Sequence, residues 1–104
     1  MITVDQLKNY IPIDETDEVI DVALQRAVSA AHSMLLGAIG EDVEELLPND
    51  SRVTELELRY AADIYQERTA SAKFAAAENR LTQTMEYQLR FELRRKRQEA
   101  EATS

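Results

Sequence analysis

The sequence predicts an all-α fold: a bundle of about four helices, with a short N-terminal helix, two long antiparallel helices and a charged C-terminal helix. Three observations point there. The 104 residues include only two Gly and two Pro, so the chain has few of the residues that interrupt helices. Apolar side chains recur every three or four positions over long stretches, the spacing of one helix face. Helix-start and helix-stop residues fall at the ends of those stretches. The length fits a single domain spanning residues 1–104.

The first helix is expected from Thr3 to about Tyr10. Thr3 and Gln6 form a capping-box pair, in which each side chain satisfies an orphan N–H of the first turn. Val4, Leu7 and Ile11 share one face, and Pro12 stops the helix by disfavouring helical geometry in the residue before it. The acidic run Asp14-Glu15-Thr16-Asp17-Glu18 suits the positive end of a following helix. That second helix is expected over about Asp17 to Ile39, with Ile20, Leu24, Ala27 or Val28, Ala31, Leu35 and Ile39 as its stripe. Ala23, Ala30 and Ala38 widen the stripe, and Gly40 stands where a C-cap is wanted. Glu41 to Leu47 reads as one short helical turn ahead of the Pro48-Asn49-Asp50 turn signal.

A third helix is expected from Asp50 or Ser51 to at least Ala70. Val53, Leu56, Tyr60 and Ile64 mark one apolar face, and Leu58, Ala62 and Tyr65 a second, so it should have two neighbours. The alanine-rich stretch from Ala70 to Asn79 has no breaker, and periodicity leaves helix and loop both open. The fourth helix is expected over about Arg80 to Arg97, with Leu81, Met85, Leu89 and Leu93 on one stripe and Tyr87 and Phe91 on another face. A frayed polar tail is expected from Gln98 to Ser104.

Composition narrows the chemistry. The absence of cysteine removes disulfides, thiolate nucleophiles and Cys-ligated zinc. No apolar run approaches the roughly 20 residues of a membrane span, and no signal-peptide pattern opens the chain, so a soluble protein is expected. His32 stands alone in the second helix with no metal-binding partner pattern and reads as a structural or interface residue. Gly37 and Gly40 cannot build a phosphate loop. No catalysis, cofactor or metal site is expected.

Charge is uneven along the chain. Residues 1–50 carry 11 acidic and 2 basic side chains (−9), and residues 51–104 carry 9 acidic and 10 basic ones (+1). Arg94-Arg95-Lys96-Arg97 is the one dense basic cluster. It reads as a docking site for a partner, as cations complementing a helix C-terminus, or as a DNA contact. The net charge of −8 speaks against the last. Tyr60 reads as core, whereas Tyr87 and Phe91 read equally as core or as interface anchors.

Taken together, Met1-Ile2-Thr3-Val4-Asp5-Gln6-Leu7-Lys8-Asn9-Tyr10-Ile11, the Ile13-Asp14 pair, the alanine-containing second helix and Ala61-Ala62-Asp63-Ile64-Tyr65-Gln66-Glu67-Arg68 are similar to the small all-α head–tail connector proteins of long-tailed bacteriophages. The resemblance covers about residues 1–70 in order and spacing. Beyond Ala70 the chain departs from that pattern with its longer charged helix. The resemblance implies a structural virion protein at the head–tail junction, in the host cytoplasm before assembly. It would form a ring of about twelve subunits below the portal protein. Such a ring extends the DNA channel without reading sequence, completes the head after packaging and receives a tail-side completion protein. On that reading Tyr65, Arg68 and Tyr87 are subunit-interface candidates, and Phe91, Arg94, Arg95, Lys96 and Arg97 are portal-docking candidates. The alternative from a different class is a small helical adaptor or regulator that binds a partner helix through the Tyr87/Phe91 face.

Overall fold

A computed structural model describes residues 1–11, 18–66 and 72–103, without the side chains of residues 72–79 and 103. The described residues form five helices: α1 (Val4–Tyr10), α2 (Glu18–Ala38), α3 (Val43–Leu46), α4 (Ser51–Gln66) and α5 (Ala72–Thr103). The all-α bundle is as expected, with the short turn before Pro48 appearing as α3.

The local signals explain the boundaries. Thr3 caps α1 with both halves of the capping box in place: its hydroxyl accepts from the Gln6 N–H at 3.1 Å, and Gln6 Oε1 accepts from the Thr3 N–H at 2.8 Å. Ile11, the residue before Pro12, is extended, the conformation that a following proline favours. The acidic run 14–17 lies outside the described residues, as does the part of the third helix expected over 67–70. The part of the alanine-rich segment among the described residues is helix: the α5 backbone is helical from Ala72, eight residues before Arg80. It also continues through Thr103, where a frayed tail from Gln98 was expected. Ion pairs within α5, from Glu99 to Arg95 at 3.6 Å and to Lys96 at 3.5 Å, link successive turns there.

The core lies chiefly between α2 and α4. Leu24, Ala27, Val28, Ala31 and Leu35 of α2 pack on Val53, Leu56, Tyr60, Ala61 and Ala62 of α4. Leu7 of α1 and Val43 of α3 close two sides, and Leu89 and Leu93 bring α5 onto the same cluster. The two apolar faces of α4 meet three neighbours, α2 most extensively and α1 and α5 beside it.

The loop between α2 and α3 positions α5. Gly40 adopts φ 155°, outside the range most side chains accept. A Cβ placed there would lie 2.6 Å from Arg97 Nη2 and 2.7 Å from Leu93 Cδ2. Arg97 crosses this glycine to grip Asp42 with two hydrogen bonds, from Nε at 2.8 Å and Nη2 at 2.6 Å. Arg90 Nε donates to the Ala38 carbonyl at 2.6 Å, at the C-terminal end of α2. Gly40→Ala is therefore expected to cost about 1–3 kcal/mol through strain and overpacking. Chemical denaturation will read this directly, and an unchanged midpoint would contradict the close approach.

Candidate functional site: a carboxylate clasp and two exposed helix faces

Glu57 stands on the buried stripe of α4, four residues after Val53 and four before Ala61, and is only 2% exposed. A buried carboxylate is costly unless both oxygens are satisfied. Here Oε1 accepts from the Ile2 N–H at 2.7 Å, and Oε2 lies 2.9 Å from His32 Nδ1. The other ring nitrogen, His32 Nε2, lies 3.1 Å from Glu44 Oε1. Glu44 Oε2 in turn accepts from the Met1 ammonium at 2.7 Å. Both nitrogens of His32 thus face carboxylate oxygens. The clasp joins the N-terminus, α2, α3 and α4, and gives His32 a structural part.

The hollow beside this clasp holds about 190 Å³ and is lined by Ile2, Leu35, Glu44, Leu47, Val53 and Glu57 among others. That is below the roughly 300–1,000 Å³ of ordinary ligand pockets. Among the described residues, no group of three or more His, Cys, Asp or Glu could hold a metal ion. No helix among them is long and apolar enough to cross a membrane.

The larger concavities are open and each belongs to one helix. One, of about 550 Å³, is lined by Arg80, Gln83, Thr84, Tyr87 and Gln88 of α5. The other, of about 430 Å³, is lined by Glu18, Val19, Val22, Ala23 and Arg26 of α2. These are uncovered helix faces. Tyr87 is 75% exposed and Phe91 61%, so both stand outside the core. Val19, Val22 and Met34 are likewise exposed on α2. Leu81, expected on the packing stripe of α5, is also exposed, whereas Met85 packs against the core and Leu89 and Leu93 are buried.

The basic cluster is largely engaged within the subunit. Arg97 is bound to Asp42, whose carboxyl it holds below the ordinary carboxylate value. Arg95 donates to Glu92 at 2.8 Å and also lies near Glu99, while Lys96 pairs with Glu99. Arg94 is exposed and makes no ion pair among the described residues. Tyr65 is half-buried against the core, and Arg68 lies outside the described residues. On α4, burial and a hydrogen bond to Glu86 push the Tyr60 hydroxyl well above its ordinary value.

Two features were not singled out in the sequence. Glu57 has a legible signal, a carboxylate in register with a buried stripe. The α2 face has a weaker one, since Val19, Val22 and Met34 fall off the Ile20–Leu24–Leu35 stripe. No protein-family model, curated protein or solved structure matches this chain.

Removing the imidazole side of the clasp should be costly. His32→Ala is expected to destabilise the fold by about 2–3 kcal/mol, because Glu57 then stays buried without its partner. Adding Glu57→Gln to His32→Ala should cost less than the two single changes summed, since both variants remove the same His32–Glu57 contact. Strict additivity in urea denaturation would contradict the clasp.

The Met1–Glu44 pair also carries a pH signature. Its hydrogen bond to Glu44 raises the Met1 ammonium above its ordinary value of 8.0, and the same bond lowers Glu44 below 4.5. A raised amine contributes stability that is complete below pH 8.0 and lost as pH climbs through the folded value. A depressed carboxyl contributes stability that is complete above pH 4.5 and lost as pH falls through the folded value. Glu44→Gln is therefore expected to reduce the loss of stability above pH 8. An identical alkaline limb in both proteins would contradict the pair.

Proposed function

We propose that this chain is a structural subunit of a phage head–tail connector, assembling into a ring that extends the DNA channel between portal and tail. One observation of the fold supports this most. A single small subunit presents two different uncovered faces, Val19–Val22–Met34 on α2 and Tyr87–Phe91 on α5. Two unlike faces per subunit are what a head-to-tail interface requires, and head-to-tail contacts generate rings when the rotation closes. The similarity of residues 1–70 to connector proteins supports the same reading from the sequence side. An acidic subunit, net −8, suits a wall along which DNA slides, because like charge suppresses adhesion to phosphates.

Within this proposal the last turns of α5, with Arg95 and Lys96, dock the portal. A partner carboxylate there would compete with the exposed internal pairs to Glu92 and Glu99, which are weak in water. A helical adaptor that binds a partner helix is the second reading, favoured by the 75% exposure of Tyr87.

Negative-stain imaging with native mass spectrometry across a concentration series separates the two. The connector predicts closed rings of about twelve subunits. A monomer or dimer at every concentration, with or without the portal protein, would overturn it. Arg95→Glu with Lys96→Glu is expected to leave rings intact and to abolish co-sedimentation with portal rings. Undiminished co-sedimentation would remove the portal role of α5.

A further inference from the structure

We infer that the exposed face of α2 on one copy receives the exposed face of α5 on the next, the two helices running antiparallel. This inference rests on the ring reading and names the contact that would build it. Each face lies on the side of its helix away from α4, so neither is covered within the subunit.

The occupant follows from how the two stripes match. On α2, Glu18, Val22 and Arg26 descend one exposed face, with Glu18 and Arg26 about 12 Å apart along the axis at 1.5 Å per residue. On α5, Arg94, Phe91 and Tyr87 ascend another, with Arg94 and Tyr87 about 10.5 Å apart. One antiparallel register sets Glu18 against Arg94, Val22 against Phe91 and Arg26 against the Tyr87 ring. Those pairs are an ion pair, an apolar contact and a cation–π contact. The same register carries Ala30 opposite Thr84, on the same side of the contact. In a parallel alignment that sets Glu18 against Arg80, Val22 falls against Thr84, Arg26 against Gln88 and Phe91 against Ser29 or Ala30, so the ion pair is kept but the apolar and cation–π partners are lost.

Charge complementarity holds on the larger scale as well, between the −9 half containing α2 and the +1 half containing α5. Aromatic and Arg side chains are also those enriched at interfaces. The contact assigns Phe91 and Arg94 to the neighbouring subunit, leaving Arg95 and Lys96 for the portal. Its footprint, about 18 Å long by 10 Å wide, falls well short of the roughly 800 Å² per partner of a standard interface. Each pairing is therefore weak alone and is consolidated when a ring closes.

The chain has no cysteine, so site-directed cross-linking reads the register without background. Ala30→Cys and Thr84→Cys, made as separate proteins at exposed positions, are mixed and oxidised. A mixed disulfide several-fold above both same-variant dimers is expected. Arg94→Glu in the Thr84→Cys protein should lower that yield, and Glu18→Arg in the Ala30→Cys protein should restore it. A yield no greater than that of Ala30→Cys mixed with Asn49→Cys, or no rescue by the swapped pair, overturns the inference. A chain carrying both cysteines should give a ladder beyond dimers. Such a ladder without closed rings in images would defeat the ring reading and leave the pairing. Wild-type rings without the mixed disulfide would do the reverse.

Discussion

The buried carboxylate of Glu57 is the constraint on which the rest of the bundle depends. It sits in the α4 stripe where the packing calls for an apolar residue, at 2% exposure. A carboxylate in that position is tolerated only if its environment supplies donors. Two elements do so, the chain start through the Ile2 amide and α2 through His32, while Glu44 of α3 faces the other His32 nitrogen and holds the ring in place. The result fixes the order in which surfaces are consumed. The inner faces of α1, α2, α3 and α4 meet around the clasp and its apolar surroundings, and the outer face of α2 is left over.

The C-terminal helix is fastened by a separate device. Arg97, Arg90 and Leu93 all converge on the short connection from Ala38 to Asp42, where Gly40 leaves room for them. Leu89 and Leu93 supply the apolar contact, while Arg97 and Arg90 fix rotation about the helix axis. Because rotation is fixed, Tyr87 and Phe91 point consistently outward. Two fastenings that meet at the start of α3, through Asp42 and Glu44, thus set the two uncovered faces, and neither face is a cleft that would enclose a small molecule.

Much of this was legible in the sequence. The capping box at Thr3 and Gln6, the end of α1 at Tyr10, the α2 stripe and the two-faced character of α4 all follow from local rules and all appear. The extent of α5 was less legible, since an alanine-rich segment without a breaker is compatible with helix or loop until neighbours decide. The basic cluster illustrates a deeper limit. Four consecutive cations read as a surface feature, but α-helical geometry sends successive residues to different sides. Arg97 turns back to Asp42, Arg95 and Lys96 meet acids one turn away, and Arg94 faces outward. The place of Glu57 on the α4 stripe was legible, but its role was hidden for a related reason. Its significance lies in partners 25 and 55 residues distant, His32 and Ile2, which no local pattern reveals.

A rigid inner clasp with two unlike outer faces is a suitable building block for repeated head-to-tail assembly, because the angle between neighbours is set by the subunit itself. That rigidity begins at the Ile2 amide, and amide hydrogen exchange measures it most directly. An amide next to a chain terminus ordinarily exchanges at the unprotected rate. Bound to buried Glu57, the Ile2 amide should instead be protected to the level of the α4 core amides. Exchange of Ile2 at the unprotected rate, beside a protected α4, would contradict the account.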